Sequence, residues 1–505
     1  MAEHSDSGPP ELSLAQSLPQ ELLSEIFLEC LHCPEDDIHL QPDITIPPLL
    51  LCLICSSWRQ TALATPRLWT DLVLQLEYVS VRSHLGGGLL RQKLRVLDLW
   101  SSRMGALAPS IHLQRSHLRV HVSNDKAEVE RRFTTFQEFF TSPPIAAANL
   151  LCLHAFSAPD LLWLSKIISQ LSFPNLSHLI ISQPSGREHN TSTAGSTTYF
   201  SSLSAPNLKR LYLDSHTELA SRPSTIIEAF SWSTLTHLAA NLKLRRLDWY
   251  TILDRCTSLT HCAVKLEFFH PWATPDSNDR KTSYHQKLTE ASVQTVSFDV
   301  HLIFEKFDLP SLRKLRISLS DASVPLPQIH KLLASTPGVR ELHLQGCIGF
   351  GNPSFAEHME RGFNQGISVP EAPGESLSTL LPDLQTLVID SIGYRISSTA
   401  LPRDLLILLR SQWLCAGWSL EQVHTPDITE HGCRSIDFIL DKGPHFSSSI
   451  VRDLMRILEE DREKLYSSCP FEVKARYLQR GLWEWRQMGG SHLRDGWATC
   501  AKWMH

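Results

Sequence analysis

Two hydrophobic patterns divide this chain. In LPQELLSEIFLECL, residues 18–31, apolar side chains recur every three or four residues, with glutamates and a serine between them. This spacing predicts an amphipathic helix with one apolar stripe. Pro19 suits its first turn, because the missing proline N–H removes no helix hydrogen bond there. From residue 90 onward the recurring unit is instead apolar-x-x-apolar-x-apolar, which predicts a series of short strands.

A second apolar segment follows a connection that runs from residue 32 to residue 48. In LLLCLICSSWRQTALATPRLWTDLVL, residues 49–74, apolar side chains at four-residue steps from Leu50 to Trp58 predict one helix. This helix must end before Pro66, because proline cannot continue it. The segment then predicts a short turn that leads into a strand.

Ten copies of the strand pattern predict a repeat array. They begin at Leu94, Leu150, Leu176, Leu208, Leu235, Leu259, Val293, Leu312, Val339 and Leu384. Helix-like segments such as DLLWLSKIISQL, residues 160–171, and proline turns such as FPNL lie between the strands. One such unit cannot bury its own apolar face, so neighbouring units must stack into a solenoid. An α/β domain with buried parallel strands remains the alternative.

The repeat pattern is interrupted by polar inserts and stops after Ile389. The inserts, residues 183–202, 270–287 and 349–376, are either loops of a binding face or disordered spacers. In the last part of the chain, VRDLMRILEEDREKLYSS, residues 451–468, predicts a helix, and a tryptophan-rich tail follows. We expect this part to cap the last repeat, because terminal repeats need a cover.

Composition and charge narrow the classes of function. The chain has 505 residues, of which 42% are hydrophobic and 20% charged, and it is too long for one ordinary core. Its net charge of -6 argues against a nucleic-acid binder that relies on phosphate attraction. The N-terminus lacks the pattern of a signal peptide, and the densest apolar run, residues 49–55, is far shorter than a membrane helix. We therefore expect an intracellular protein, cytoplasmic or nuclear, that binds neither membranes nor nucleic acid.

Signatures of enzyme chemistry are missing from the sequence, including GxxxxGK[ST], GxGxxG, HExxH and GxSxG. The glycines at residues 86–88 predict a turn. Four cysteines from Cys30 to Cys55 have the C-x2-C-x18-C-x2-C spacing of a zinc site. The second pair lies in an apolar segment, so we interpret these cysteines as small core residues. His237 and His261 occupy equivalent variable positions in two repeats, which favours a repeated surface role. We expect no enzymatic activity, no metal and no cofactor.

Three fragments in the first seventy residues resemble the F-box domain, in the F-box-like form abundant in fungi. They are an L-P-x-E-[IL]-L-x-x-I-F start, a C-x-x-W-R centre and a T-P-x-L-W end. The matching residues are Leu18, Pro19, Glu21, Leu22, Leu23, Ile26, Phe27, Cys55, Trp58, Arg59, Thr65, Pro66, Leu68 and Trp69. The resemblance covers residues 18–72, and the long connection at residues 32–48 departs from a minimal F-box. It implies a helical unit that binds a Skp-type adaptor and, through it, a cullin–RING ubiquitin ligase.

We therefore predict an α/β protein with four parts. These are a disordered N-terminal tail (1–16), an F-box-like helical domain (17–74), a degenerate leucine-rich-repeat-like solenoid (75–392) and a helical C-terminal cap (393–505). The resemblance implies that the F-box holds the Skp-type adaptor while the solenoid holds an unknown protein substrate for ubiquitination. The adaptor contacts are expected at Leu18, Pro19, Leu22, Ile26, Leu53, Cys55, Trp58, Leu68 and Trp69. Some of these residues, Trp58 above all, must instead hold the helices together. The alternative is a non-ligase scaffold whose F-box-like helices only cap the solenoid.

Overall fold

The structure is a computed structural model that describes sixteen parts of the chain. They are residues 18–31, 44–76, 86–115, 134, 137–154, 171–182, 203–214, 230–244, 246–268, 283–295, 303–319, 332–345, 383, 386–390, 435–441 and 472–478. The predicted N-terminal tail, the helix predicted at residues 451–468 and most of the helix predicted at residues 160–171 lie outside them. So do most residues of the three polar inserts.

The chain forms two compact units. The first consists of Met1–Lys209 with Glu228–Ser231 and Gly490–Leu493, and the second of Arg210–Ile227, Trp232–Gly489 and Arg494–His505. The described helices of the first unit are α1 (Gln20–Glu29), α2 (Leu51–Ile54), α3 (Ser56–Ala64), α4 (Gly86–Met104) and α5 (Pro143–Ala146), with a 3-10 helix at Pro66–Trp69. The second unit contains α6 (Arg246–Arg255) and a 3-10 helix at Trp232–Thr234. No described helix has both the length and the apolar character that crossing a membrane requires.

Parallel strands dominate both units. In the first unit β1 (Asp71–Leu76), β2 (Ser110–Arg115), β3 (Leu150–His154) and β4 (His178–Ser182) pair in chain order. In the second unit the main strands are β5 (Arg210–Asp214), β6 (His237–Leu244), β7 (His261–Phe268), β9 (Glu290–Thr295), β11 (Lys314–Leu319), β12 (Glu341–Gln345), β13 (Thr386–Asp390), β14 (Ser435–Asp441) and β15 (Glu472–Leu478). Each pairs in parallel with the next. The short strands β8 (Ser283–Tyr284) and β10 (Phe307–Asp308) form a separate pair. The fold is therefore mixed α/β with a solenoid-like parallel sheet.

The repeated apolar positions stack on one another along the sheet. In the second unit one such row joins the middle apolar residue of successive strands, and every member is buried. The row is Leu211, Leu238, Cys262, Ala291, Leu315 and Leu342. A single strand with its turn could not bury this side, so the stacked neighbours provide the core.

Proline turns introduce the strands, as the sequence predicts. The Leu176 N–H donates to the Phe173 carbonyl at 3.2 Å, and the Leu312 N–H donates to the Leu309 carbonyl at 3.1 Å. The apolar first and last residues of these turns are buried, and proline at the second position fixes the φ that such a turn needs. In the turn predicted at residues 381–384, only Asp383 is described.

The strand predicted at Leu94 is wrong, because α4 covers this part of the chain. Its buried residues Leu97, Trp100 and Met104 follow a helical spacing, whereas Leu99, the last apolar residue of the supposed strand motif, is 48% exposed. The turn predicted for the glycines at residues 86–88 is also wrong, since they begin this helix.

In two further strands the apolar motif lies in a different frame from the predicted one. β3 begins at the predicted Leu150, but the buried motif residues are Leu151 and Leu153, with Ala148 buried just before the strand, so the predicted frame is two residues late. The β9 core contains Ala291 and Val293, and its preceding buried leucine is five residues before the predicted start at Val293. In both segments several frames match the short pattern, and only stacking on the neighbouring strands selects one.

The single helix predicted from Leu50 onward is also wrong, because Cys55 separates α2 from α3. Its backbone is extended, with φ −157° and ψ 172°, and its sulfur accepts a hydrogen bond from the Trp58 N–H at 3.5 Å. Cys55 therefore acts as the N-cap of α3.

The described part of the C-terminal region consists of strands. β14 and β15 continue the parallel pairing beyond β13. The expectation of a helical cap is therefore wrong for residues 435–441 and 472–478. Residues 472–477, EVKARY, alternate polar and apolar residues, and this period of two is a strand signal, whereas residues 435–441 alternate only in SIDF.

Candidate partner-binding surface on the N-terminal helices

α1 has a well-defined start. Pro19 precedes it in an extended conformation, with φ −54° and ψ 145°, and its carbonyl accepts the Leu23 N–H at 3.1 Å. Glu21 lies in the first turn, where the positive end of the helix dipole stabilises a carboxylate. The position of the helix is therefore set by its own sequence.

One side of α1 packs into the first unit. Leu23 and Phe27 are 2% and 0% exposed, and the Phe27 ring lies 5.0 Å from the Trp58 ring between centroids. The hydroxyls of Ser24 and Thr65, 2.9 Å apart, join the same helix to the end of α3. Leu23 and Phe27 thus provide apolar contacts that hold α1 on its neighbours.

The other side of α1 carries a second set of apolar residues that faces outward. Leu18, Leu22 and Ile26 are 37%, 53% and 44% exposed. Leu22 and Ile26 lie about one turn apart on the same ridge of α1, and Leu18 precedes the helix by two residues. The exposed ion pair between Arg67 and Glu25, with an N···O distance of 3.7 Å, lies next to this ridge along the helix. We call these three residues the α1 apolar ridge.

α2 repeats this division on a shorter element. Leu51 is buried, while Leu53 and Ile54 are 56% and 52% exposed. The Arg59 side chain donates from Nε to the Cys52 carbonyl at 2.7 Å and so ties α2 to α3. α2 therefore also presents aliphatic side chains that its own unit leaves uncovered.

The last two predicted contact residues lie in the interior. Leu68 is buried, and buried Trp69 donates from its indole N–H to the Ala62 carbonyl at 2.9 Å. The Trp69 ring also packs edge-to-face on Trp100, at 4.9 Å between centroids, and the Trp100 indole donates to the Asp71 carbonyl at 3.2 Å. These residues connect the N-terminal helices with α4 and β1.

The nine predicted contact residues thus fall into three groups by position. Exposed are Leu18, Pro19, Leu22, Ile26 and Leu53; half-buried are Cys55 and Trp58; buried are Leu68 and Trp69. The prediction omitted Leu50 and Ile54, which are both exposed. Ile54 is the last residue of α2, directly before the extended Cys55, whereas a single helix puts it in one stripe with Leu50 and Trp58.

The described cysteines of this region, Cys30, Cys52 and Cys55, are free thiols. Burial raises the pKa of the Cys52 thiol, with Arg59 and Arg103 acting in the opposite direction. A raised pKa keeps the thiol protonated at neutral pH, whereas a metal requires the thiolate. Cys52 and Cys55 are half-buried and Cys30 is exposed, while His32 and Cys33 lie outside the described residues. Among the described residues, no group of three or more His, Cys, Asp or Glu side chains is placed to hold a metal ion.

Another candidate binding surface, which is polar, lies on the sheet of the second unit. The rings of His237 and His261 stack at 4.3 Å between centroids, with 4° between their planes. The Nε2 atom of His261 lies 3.7 Å from Oε1 of Glu290, and Lys314 Nζ lies 4.0 Å and 3.5 Å from carboxylate oxygens of Glu290 and Glu341. Corresponding positions of successive strands therefore form one continuous row of polar side chains.

Comparison with known proteins adds no relative. No model of a protein family matches the chain, and no match was found among curated proteins. The functional argument therefore depends on the sequence resemblance and on the geometry described above.

Proposed function

We propose that this chain is the substrate-recognition adaptor of a cullin–RING ubiquitin ligase. An F-box-like unit of α1, α2 and α3 binds a Skp-type adaptor, and a leucine-rich-repeat-like solenoid binds the protein to be ubiquitinated. The transfer chemistry takes place on other subunits, and this chain contributes by holding the substrate near them. The observation that carries the proposal is the α1 apolar ridge, which the first unit leaves exposed.

Single exposed leucines are common on protein surfaces, so the argument depends on how many exposed apolar residues lie close together in the chain. Seven of the ten exposed large hydrophobic residues in the described part of the chain lie between residues 18 and 54. A helix that served only to cap a neighbouring core would bury its apolar side and expose polar residues. α1 differs from such a helix, because it buries Leu23 and Phe27 but leaves the apolar Leu22 and Ile26 exposed. A partner helix or groove that covers the ridge accounts for the second set.

The resemblance at residues 18–72 supports the class of partner. The residues that resemble an F-box start include all three members of the α1 apolar ridge. The proposed binding of a substrate protein is supported by the parallel strands of the second unit. A row of partly exposed polar side chains runs across these strands from His237 to Glu341 and contains both acidic and basic groups. Such surfaces are the usual binding sites of solenoids.

The test is co-purification of the full chain with a purified Skp-type adaptor. The variant Leu22→Glu/Ile26→Glu changes the ridge without touching the buried side of α1. Burial of two aliphatic side chains contributes about 3 kcal/mol, so we expect binding to weaken by about a hundredfold or more. Leu107→Glu/Tyr284→Glu is the matched control, since both residues are exposed large hydrophobics outside α1 and α2. Circular dichroism checks that each variant is folded.

Binding by the wild type and the control, with loss in the ridge variant, supports the ligase-adaptor function. Failure of the folded wild-type chain to bind any Skp-type adaptor contradicts it. Equal binding by the ridge variant would also contradict it, because the contact would then lie elsewhere.

A non-ligase scaffold is the second candidate, and one observation favours it. Trp69 and Trp100 pack together, and Trp100 hydrogen-bonds to the first residue of β1. The N-terminal helices therefore pack against the beginning of the strand array, as a cap does. A folded chain that binds no Skp-type adaptor but still captures a protein through its sheet would support this function.

A further inference from the structure

α4 carries an exposed ridge of its own. Arg91, Arg95, Leu99 and Arg103 follow one another at four-residue steps, and all four are exposed. Residues at this spacing form the ridges that interdigitate when two helices pack. The opposite side of the helix is buried in the first unit. We call these four residues the α4 basic ridge.

The charge of α4 differs in sign from that of the chain. With Lys93, the helix has four basic residues and one acidic residue, Asp98, so its net charge is +3. The whole chain has a net charge of -6. A local excess of positive charge thus lies on this helix of a negative protein, and it favours a negatively charged partner at that place.

No described carboxylate neutralises the ridge. Within the described residues, no ion pair joins Arg91, Arg95 or Arg103 to a carboxylate. Like charges four residues apart on a helix destabilise it by about 0.2–0.5 kcal/mol per pair. The spacing of Arg91 and Arg95 therefore opposes the stability of α4, whereas an external pair of carboxylates would reverse the sign of this effect.

We propose that the α4 basic ridge docks an acidic helix of a partner protein. In that helix, glutamates or aspartates at four-residue spacing flank one aliphatic residue. The carboxylates accept paired hydrogen bonds from Arg91 and Arg95, a geometry to which the guanidinium fork is suited. The aliphatic residue covers Leu99, which is 48% exposed. This site shares no residue with the α1 apolar ridge, and its occupation does not depend on the ligase function proposed above.

The composition of the ridge favours a protein over other polyanions. Nucleic-acid surfaces combine many phosphate contacts with aromatic side chains on which bases stack, whereas this ridge has three guanidinium groups and a leucine. An interfacial membrane helix needs a free apolar side, but the apolar residues Leu97, Trp100 and Met104 of α4 are buried. A leucine between arginines matches the mixed apolar and charged character of a protein helix.

The test uses the full chain and a fluorescein-labelled alanine-based peptide. The peptide carries glutamates and one leucine in the order Glu-x3-Glu-x3-Leu-x3-Glu, and a second peptide has glutamine in place of each glutamate. Fluorescence anisotropy measures both at low and at physiological salt. We expect the glutamate peptide to bind, to bind more weakly at higher salt because exposed ion pairs are screened, and to bind at least tenfold tighter than the glutamine peptide.

Two charge-reversal variants locate the site. Arg91→Glu/Arg95→Glu should weaken binding of the glutamate peptide at least tenfold. Lys287→Glu/Arg340→Glu makes the same change in net charge at two exposed residues of the second unit and should bind within twofold of wild type. Leu99→Ala should weaken binding severalfold without altering the salt dependence, because it removes only the apolar contact.

Three results would overturn the proposal. One is the absence of peptide binding to the folded wild-type chain. Another is equal weakening in both charge-reversal variants, which would indicate attraction to net charge alone. The third is tighter binding of a single-stranded oligonucleotide or of vesicles that contain phosphatidylserine, which would assign the ridge to another class of partner. Capture of a Skp-type adaptor is measured separately and should be the same for Arg91→Glu/Arg95→Glu as for wild type.

Discussion

Single threonine residues join successive strands of the second unit. The carbonyl of Thr236 accepts the backbone N–H groups of Thr260 and His261 at 2.8 Å and 3.1 Å. It accepts a third hydrogen bond from the Thr260 hydroxyl at 2.9 Å. The next repeat has the same arrangement, in which the Thr289 hydroxyl donates to the Thr260 carbonyl at 3.0 Å. A row of hydroxyl groups thus links the strands at the positions where they begin.

Thr260→Val should lower the free energy of unfolding by about 1 kcal/mol. Valine keeps the shape of the side chain and leaves the backbone hydrogen bonds to the Thr236 carbonyl in place, but it removes the hydroxyl. A typical hydrogen bond contributes about 1 kcal/mol to stability. Urea denaturation followed by circular dichroism measures the change. Thr70→Val is the control, because its hydroxyl bonds to the Arg67 carbonyl at an exposed site, where water can replace it. A loss in Thr260→Val no larger than that in Thr70→Val would mean that the hydroxyl row contributes no more than an exposed hydroxyl group does.

His285 is a buried imidazole whose protonation opposes folding. It is 5% exposed, and its ring packs edge-to-face on Phe307 at 5.2 Å between centroids. Burial lowers the pKa of His285, while Asp254 and the Leu253 backbone act in the opposite direction. In the unfolded chain the same imidazole takes up a proton near its ordinary pKa of about 6.5. Stability is therefore complete above that pH and falls as the pH decreases below it.

We expect this loss to become smaller in His285→Leu. Unfolding experiments at pH 7.5 and pH 5.5 should give a smaller decrease for the variant than for the wild type. If only the unfolded chain binds this proton, the free energy of unfolding changes by at most about 1.4 kcal/mol per pH unit. The comparison cancels the contributions of the other histidines. Identical pH dependence of the two proteins would show that His285 does not take part.

Among the elements, those with a long period are the easiest to predict from sequence. The helical spacing of α1 extends over ten residues, and the structure confirms this helix. The strand motif has only three apolar positions, and such a short pattern also fits a helix. Leu94 and Leu97 fit both a strand motif and a helical spacing. The helical spacing continues to Trp100 and Met104, and this continuation distinguishes α4 from a strand. Several strands, including β4, β6 and β11, begin within two residues of a predicted motif start and are confirmed.

The break between α2 and α3 illustrates a different limit. Apolar residues at Leu50, Ile54 and Trp58 fit one continuous helix, and the extended conformation of Cys55 alone interrupts it. A cysteine followed by two serines is a weak N-cap signal, because sulfur is a poor acceptor. Leu53 is among the predicted contact residues, but Ile54 is not, because a single helix puts Ile54 in one stripe with Leu50 and Trp58. Sequence periodicity therefore did not indicate that Ile54 is exposed.

At the scale of the whole molecule, burial depends on elements that are distant in sequence. The sequence resemblance marked Leu22 and Trp69 alike as contact residues. The structure leaves Leu22 exposed and buries Trp69 beneath Trp100 of α4, which lies 31 residues further along the chain. Such packing between elements is not encoded in local periodicity. This is why the candidate surface could be predicted in part on α1 and not at Trp69.

Stacking also determines how a defect spreads through the strands of the second unit. Leu315 of β11 is buried between Ala291 of β9 and Leu342 of β12. Leu315→Ala removes part of this row and should lower local stability by about 2–5 kcal/mol. In a repeat array each coil interacts mainly with its neighbours, so stability is close to a sum of nearest-neighbour contributions. The loss should therefore be greatest at β9, β11 and β12 and smaller at β6.

Hydrogen–deuterium exchange with mass spectrometry distinguishes this local loss from a cooperative one. Peptides that cover β9, β11 and β12 should exchange faster in Leu315→Ala, while the peptide that covers β6 stays close to wild type. Tyr284→Ala is the control, because this side chain is 57% exposed and its removal leaves no cavity. Equal acceleration from β6 to β12 would contradict the nearest-neighbour description and would mean that these strands unfold in one step. A graded response would mean that a partner bound to one part of the sheet stabilises mainly the adjacent coils, because binding energy spreads through the same contacts.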